Sequence, residues 1–325
     1  MKKLLPFAMA MALAAPAFGQ EAVSDPVGYE TITLQPGQFN FFGLRLTEAA
    51  TASGTFESGD ADSLTDDDAS FEGFDASTTY VVEFEDGTSI AAPGSSFSGT
   101  TISGLGGQAA GLENENFTVR VARTLTDVFG DNNEAGLLAG DSIATADVVL
   151  LPQSDGSFEQ AYYNSGIPGV VPASWQNASG QTVDPVILDT DGIIVQSRST
   201  SEVDIVVTGA VPLQPRAFAL SGGGSFNFVS SVFPAGATFG NTNLESSIQG
   251  GTSIAEADVV LLPQTDGSFQ SYFFNVGIEG VIPASWQDSA GNDASGVVLT
   301  PALIIQRRGG DTAGVLNQPE FYNNL

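Results

Sequence analysis

The sequence predicts an all-β protein built from two related units in tandem. Short runs of β-branched and aromatic residues recur along the chain between Gly, Pro, Asn and Asp, whereas the apolar spacing of a helix is scarce. The segment 142–180 returns at 253–291 without a gap, and about two-thirds of its residues are unchanged. Such a duplication indicates that one folding unit occurs twice, as two sandwich-like or barrel-like units.

Residues 1–19 predict a secretory signal peptide. Met1-Lys2-Lys3 gives a short positive start, the apolar stretch 4–15 is too short for a membrane span, and Ala17-Phe18-Gly19 supplies small residues before the cleavage point. Later apolar runs are also too short, so the sequence predicts no transmembrane helix. We therefore expect export across the inner membrane, to the periplasm, the cell surface or the extracellular space.

The mature chain is predicted to be strongly acidic. Removal of Lys2 and Lys3 leaves seven of the nine basic residues, all arginine, against 38 acids, a formal charge of −31. This charge repels nucleic acid, so nucleic acid is not expected as a partner. The sequence has no histidine and no cysteine, which excludes histidine-based triads, cysteine nucleophiles and zinc sites built on either residue. No Walker loop, dinucleotide fingerprint or nucleophile elbow is present, and we expect a non-enzymatic protein.

Each copy predicts the same strands around one Asp-Gly turn, which suits a tight hairpin because glycine accepts positive φ. The first copy has an opening strand at 37–41, a buried strand at 148–151, the Asp155-Gly156 turn, a returning strand at 157–163 and a closing strand at 193–196. The second copy has its opening strand at 224–228, its buried strand at 259–262, the Asp266-Gly267 turn, its returning strand at 268–274 and its closing strand at 303–306.

A long insertion near residues 55–123 distinguishes the first unit from the second. Three runs inside it, 80–84, 100–102 and 117–121, predict the strands of a small subdomain, either a β-barrel-like one or a sheet.

The predicted boundaries follow from the repeats. The first unit with its insertion spans 20–209, and the second unit with a C-terminal tail spans 210–325. We interpret 203–211 as a strand that bridges the two units. The polar tail from 309 onward is interpreted as peripheral.

Trp175 and Trp286, the only tryptophans, share a P-A-S-W-Q context and are candidate ligand-binding residues. Tyr162, Tyr163 and Tyr272 lie close to them in sequence. An exposed platform of such rings would stack on sugars or enter a protein interface. Alternatively, each tryptophan closes the end of its own β-unit. The second copy has phenylalanine where the first has Tyr162 and Tyr163, which favours packing at those positions.

An aspartate-rich loop in the insertion is the candidate metal site. Hard cations such as calcium prefer several carboxylate oxygens on a flexible loop. The loop carries Asp60, Asp62, Asp66, Asp67 and Asp68. Their spacing lacks the EF-hand pattern, so a solvated loop is the alternative. We expect no cofactor unless calcium binds here.

Asp147 and Asp258 begin matching strands, each directly after an alanine. A carboxylate kept in both copies beside a buried run favours a turn cap or an ion pair over catalysis. Arg198 and Arg308 follow the closing strands and are the candidate ion-pair partners. We interpret all four residues as structural.

These motifs together resemble an uncharacterised family of exported, internally duplicated bacterial all-β proteins. The motifs are D-P-V-G-Y at 25–29, V-E-F-x-x-G at 82–87, T-L-x-x-x-F-G at 124–130, A-D-x-V-L-L at 146–151 and 257–262, and I-x-Q-R-x at 304–308. Many members have W-x-L before F-G, where this chain has Arg123-Thr124-Leu125. The resemblance implies export and a duplicated β fold, and it implies no particular activity.

Taken together, these features predict an exported structural or adhesive protein of the bacterial envelope or extracellular matrix. Its expected partners are further copies of itself, other surface proteins or extracellular polysaccharide. The first alternative is a carbohydrate-binding module, assisted by calcium if the acidic loop binds it. An outer-membrane β-barrel, which needs serial alternating strands, ranks lower. A hydrolase that works through carboxylates alone ranks last.

Overall fold

The computed structural model describes residues 26–153 and 155–324. The predicted signal peptide lies outside these residues. Strands account for 42% of the chain and helices for 5%, which confirms the predicted all-β fold class. Among the described residues, no helix has the length and apolar character that crossing a membrane would require.

The strands are numbered in chain order. The chain opens with β1 (Val27–Leu34) and β2 (Phe39–Gly43). The insertion contains β3 (Ala50–Thr55), β4 (Ser58–Gly59), β5 (Ser63–Thr65), β6 (Thr79–Phe84), β7 (Ser89–Pro93), β8 (Phe97–Ser98), β9 (Thr101–Ser103) and β10 (Asn116–Val121). The first unit resumes with β11 (Arg123–Thr124), α1 (Leu125–Phe129), β12 (Val148–Pro152), β13 (Phe158–Asn164), β14 (Ser174–Gln176), β15 (Val186–Ile187), β16 (Gly192–Gln196) and β17 (Val203–Ala210). The second unit contains β18 (Arg216–Leu220), β19 (Phe226–Ser230), β20 (Val259–Pro263), β21 (Phe269–Asn275), β22 (Ser285–Asp288), β23 (Ala302–Gln306) and β24 (Thr312–Leu316).

The two units have the same sheet topology. The first contains an antiparallel sheet in the order β14-β13-β12-β16-β2, and the second contains β22-β21-β20-β23-β19. The registers also match, because Leu150 lies opposite Ile194 and Leu261 lies opposite Ile304. A two-stranded ladder completes each unit, β1 with β17 in the first and β18 with β24 in the second.

Two predictions about chain connections are wrong. The segment 203–211 does not bridge the units, because β17 pairs with β1 along its whole length. The chain beyond 309 is not peripheral, because β24 pairs with β18 and buries Leu316 in the second core. In both units the last strand returns to the first strand of the same unit. These partners are far apart in sequence, so no local pattern indicates the pairing.

Three clusters of buried apolar side chains hold the fold together. The first lies between β1–β17 and the first five-stranded sheet and includes Phe42, Phe129 and Ile205. The second, with Phe239 and Leu316, occupies the corresponding space in the second unit. The third belongs to the insertion, and its aromatic members are Phe56, Phe71, Tyr80, Phe84, Phe97 and Phe117. Truncating one such phenylalanine to alanine costs about 3–5 kcal/mol.

The insertion consists of two open sheets. Their strand orders are β3-β10-β6-β7 and β4-β5-β9-β8, so the predicted barrel-like closure is absent among the described residues. Stacked rings of Phe56 and Phe117, with centroids 3.9 Å apart, join the sheets in one core. Face-to-face packing buries one side of each sheet without closing a cylinder.

The two units contact each other through matched aromatic residues. Phe41 stacks on Phe228, its counterpart in the second unit, with an interplanar angle of 8°. Phe41 also meets Phe269 at 5.3 Å, and Phe228 meets Phe158 at 5.5 Å. Because Phe158 and Phe269 are themselves counterparts, an approximate two-fold axis relates these contacts. The interface is therefore isologous, like that of a symmetric dimer.

This axis passes close to Gly43 and Ser230, which are also counterparts. A Cβ on Gly43 would lie 2.3 Å from the Cβ of Ser230, so only glycine fits at this position. At the other end of β2, the Gln38 amide donates to the Thr265 carbonyl in the β20–β21 turn. The strand therefore runs across the strands of the second sheet, as in orthogonal sheet packing.

A buried ionic cluster joins the insertion to both units. Arg216, at the start of β18, is 2% exposed. Its Nε lies 2.7 Å from Asp189 Oδ2 in the first unit, and its Nη2 lies 3.0 Å from Glu83 Oε1 in the insertion. Glu83 also accepts a hydrogen bond from Arg120 Nε at 3.0 Å. Burial raises the pKa of the Glu83 carboxyl, an effect that the charge of Arg216 opposes.

We predict that Arg216→Met lowers the free energy of unfolding by about 3–5 kcal/mol at neutral pH, because it removes the cation paired with Asp189 and leaves the buried Glu83 with Arg120 alone. The loss of stability should become smaller at low pH, since protonation of Glu83 removes its negative charge. Denaturant unfolding at several pH values measures both effects. Adding Glu83→Gln should restore part of the loss, and equal stability of Arg216→Met and the parent would contradict this role.

Candidate functional site

Both tryptophans are buried in the cores of their own units. Trp175 is 2% exposed, and its Nε1 donates to the Gly130 carbonyl at 2.8 Å. Its ring packs against Phe129 and Tyr163. Trp286 is equally buried and stacks on Phe239 with centroids 4.4 Å apart. Each indole therefore belongs to the apolar core of its own unit.

The three candidate tyrosines are buried as well. Tyr162, Tyr163 and Tyr272 are 5%, 8% and 5% exposed. Hydroxyl groups of Tyr162 and Tyr272 bond glutamine side chains nearby. This burial contradicts the exposed aromatic platform expected for sugar stacking on these rings. The physical reason is that the strands bearing them turn the rings toward neighbouring strands and loops.

The aspartate-rich loop uses its carboxylates to cap its own turns. Asp60 Oδ1 accepts from the backbone N–H groups of Asp62 and Ser63, both at 2.8 Å. The hydrogen bonds from Asp62 and Ser63 lower the pKa of Asp60. Asp66 Oδ1 accepts in the same way from Asp68 and Ala69, both at 2.9 Å.

Further hydrogen bonds tie this loop to neighbouring segments of the insertion. Asp62 Oδ1 accepts from the Gly106 N–H at 2.7 Å, and the backbone N–H of Asp67 donates to Glu57 at 2.9 Å. In the described part of the chain, no group of three or more His, Cys, Asp or Glu residues is arranged to hold a metal ion. Calcium binding at this loop stays a prediction.

Asp147 and Asp258 are buried acceptors at matching positions. Asp147 Oδ2 accepts from the Leu138 N–H at 2.8 Å, and its Oδ1 accepts from the Arg198 N–H at 2.5 Å. Asp258 accepts from the backbone N–H groups of Gln249 and Arg308, at 2.7 and 2.6 Å. Each carboxylate thus ties the loop before its strand to the end of the closing strand.

The guanidinium groups do not have the predicted partners. Arg198 Nη1 donates to the Ala146 carbonyl at 2.5 Å, and Arg308 Nε donates to the Ala257 carbonyl at 2.6 Å. The ion pair of Asp258 is made by Arg307, whose Nη1 lies 2.6 Å from Oδ2. Arg198 and Arg308 contact the aspartates through their backbone N–H groups, because each side chain turns toward the carbonyl of the alanine that precedes the aspartate.

The most distinctive exposed features are two apolar hairpins, at 166–173 and 277–284, which follow β13 and β21. In the first, the backbone groups of Ile167 and Val171 bond each other at 2.8 and 2.9 Å, and Gly169 turns the chain with a φ of 72°. The second has the same bonds between Ile278 and Ile282. Their exposed side chains are Ile167 (57%), Val170 (76%), Val171 (43%), Ile278 (53%), Val281 (75%) and Ile282 (46%).

The two hairpins are more similar to each other in sequence than the buried strand segments that precede them. Residues 166–176 and 277–287 differ only at Pro168/Glu279 and Val171/Ile282. The buried residues 161–163, in contrast, all differ from 272–274. Turn geometry explains the glycines, but neither the turn nor a core explains exposed isoleucine and valine. Comparing the two repeats in the sequence could have identified these hairpins, because their apolar residues are kept in both copies. Gly- and Pro-rich stretches are, however, ordinarily interpreted as plain turns.

A groove of about 640 Å³ lies where the insertion and both units meet. Phe158 and Phe226 line it with partly exposed rings, and Gln108 reaches it from the insertion. Asp191 lies in its wall and accepts from the Leu188 N–H at 3.0 Å. Desolvation raises the pKa of Asp191 to about 6. The groove is large enough for a small ligand.

Comparison of the chain with family models, curated proteins and solved structures finds no match. The resemblance based on motifs therefore stays a prediction.

We predict that Asp191→Asn raises stability near neutral pH. A carboxyl with a folded pKa of about 6 against 3.8 unfolded is destabilising above pH 6, by about 2–3 kcal/mol, and neutral below about pH 4. The asparagine oxygen can still accept the Leu188 N–H. Thermal melts should therefore show a gain at pH 7 that vanishes at pH 4. A pH-independent difference between the two proteins would contradict the shifted pKa.

Proposed function

We propose that this protein is an exported, non-enzymatic structural or adhesive component of the bacterial envelope or extracellular matrix, and that it attaches through its two apolar hairpins. The observation that supports this proposal is the exposure of Val170 and Val281, 76% and 75%, at positions kept apolar in both copies. Contiguous exposed apolar surface of this kind is typical of sites that bind other proteins.

The charge distribution favours contact at the hairpins. The mature chain has a formal charge of −31, and acidic surfaces repel one another. The 166–173 hairpin has no charged residue, and the 277–284 hairpin has only Glu279. Apolar contact contributes about 25 cal/mol per Å² of buried surface. The hairpins are therefore places where an otherwise repulsive molecule can adhere.

Two equivalent hairpins in one chain make the molecule bivalent. Each hairpin is small, and a single contact of this size would be weak. Two contacts made by one molecule to the same material combine their affinities through a high effective concentration. Export, which this role requires, is supported by the predicted signal peptide at 1–19.

A second candidate function is binding of extracellular polysaccharide in the groove. Phe226, 52% exposed, offers a ring face there, and Asp191 lies in the groove wall. Ring faces beside hydrogen-bonding groups are a common arrangement for sugar contacts. This candidate depends on the groove and not on the buried tryptophans.

We predict that Val170→Ser with Val281→Ser weakens cosedimentation of the mature protein with isolated surface material of the producing cells. Each change removes about 1.5 kcal/mol of apolar contact, about a tenfold loss per hairpin. Val298→Ser is the matched control, because Val298 is 63% exposed and lies outside the hairpins.

Binding that is unchanged in the double variant, or lost equally in the control, would contradict adhesion through the hairpins. Retention of both variants on protein-free polysaccharide from the same material would instead support the second candidate. The measurement therefore separates the two functions.

A further inference from the structure

Within the part of the chain that the structure describes, strand β1 is paired along one side only. Val211 N–H donates to the Pro26 carbonyl at 2.8 Å, which fixes the alternation of hydrogen bonds along the β1–β17 ladder. The backbone groups of residues 28, 30, 32 and 34 face β17. Those of residues 27, 29, 31 and 33 face away, and no described residue bonds to them.

The corresponding strand in the second unit is β18. Equivalent hydrogen bonds at the ends of the two strands show which residues correspond. After β1, the Asn40 side chain bonds the backbone N–H and C=O of Gln35. After β18, its counterpart Asn227 bonds the backbone N–H and C=O of Ser221 in the same way. Counting back from these residues makes Ala217 the counterpart of Thr31.

The insertion contacts the free edge of β18 at Ala217. Ala217 N–H donates to the Gly87 carbonyl at 2.8 Å, in the turn between β6 and β7. Gly87 has a φ of 92°, and a Cβ there would lie 2.9 Å from the carbonyl carbon of Pro215. At this position the edge therefore has a partner in the second unit, whereas the matching position of the first unit has none among the described residues.

The side chains of the open edge suit approach by another strand. Val27 and Tyr29 are 81% and 78% exposed, and Thr31 and Thr33 are exposed threonines. The one acid of the strand, Glu30, is neutralised by Arg45 of the same unit. A long neutral edge rich in β-branched and aromatic residues is a template for strand addition.

We propose that β1 is a self-association strand, through which two copies of this chain pair in antiparallel fashion about a two-fold axis. Tyr29 of one copy lies opposite Thr31 of the second copy, and Val27 lies opposite Thr33 of the second copy. The two ladders become one four-stranded ribbon in the order β17-β1-β1-β17.

A second copy is the occupant that the charges favour. When β1 of one copy meets β1 of another, the Glu30 charge on each strand is already neutralised by Arg45. Contact through other parts of this acidic chain would instead bring unpaired carboxylates close to the edge. Antiparallel pairing also satisfies every outward group of both edges at once, which is the condition for a closed isologous dimer. The inference is independent of adhesion through the hairpins, because β1 and the hairpins share no residues.

Sedimentation equilibrium of the mature chain over a concentration series tests the proposal. The parent is expected to form dimers, and Thr31→Pro is expected to remain monomeric at the highest concentration at which the parent is dimeric. Proline removes an outward N–H that β17 does not use, so the ladder within the molecule is retained. Thr31→Val, which keeps the N–H, is the matched control and should dimerise like the parent.

Circular dichroism and melting temperature establish that each variant is folded. If Thr31→Pro melts early, Tyr29→Asp with Thr31→Asp replaces it, because these residues lie opposite the uncharged Thr208 and Val206 of β17. The added like charges should weaken the dimer in low salt and less so in high salt. A parent that is monomeric throughout, or a dimer that survives Thr31→Pro, would overturn the proposal. The hairpin double variant should dimerise normally, which separates this result from the adhesion test.

Discussion

The arrangement of the whole molecule depends on one buried cation, the guanidinium of Arg216. It binds Asp189 of the first unit and Glu83 of the insertion while its own strand belongs to the second unit. A buried charge of this kind tolerates little displacement, because each partner lost leaves an uncompensated ion in a poorly solvated place. Close packing then makes the contact specific, since the turn at Gly87 fits against Ala217 only without a side chain.

This cluster explains why two nearly equivalent units present different surfaces. At the position that matches Arg216, the first unit has Glu30, which pairs with Arg45 inside the same unit. The insertion therefore has an anchor on β18 and none on β1. As a result, the Gly87 turn bonds to the edge of β18 at Ala217, while the outward backbone groups of β1 have no partner among residues 26–153 and 155–324. A symmetric duplication thus yields an asymmetric molecule, with two equivalent hairpins and one open strand.

Local features of the fold could be predicted from sequence, and distant ones could not. The β12–β13 and β20–β21 hairpins were predictable because buried apolar runs flank Asp-Gly turns. The pairing of β1 with β17 depends on residues at opposite ends of the first unit. The choice of Arg307 over Arg308 as the ion-pair partner of Asp258 depends on side-chain direction. The tryptophans were identified as important, but only the structure shows that they face inward.

The edge of β18 is bonded to the Gly87 turn at Ala217, whereas the matching edge of β1 has no partner among the described residues. Residue-resolved amide hydrogen exchange on the dilute mature chain measures this difference. We expect slow exchange for the N–H of Ala217, bonded to Gly87, and of Ile32, which faces β17. We expect fast exchange for the N–H groups of Tyr29 and Thr31. Protection of Thr31 equal to that of Ala217 in the monomer would contradict the difference between the two edges.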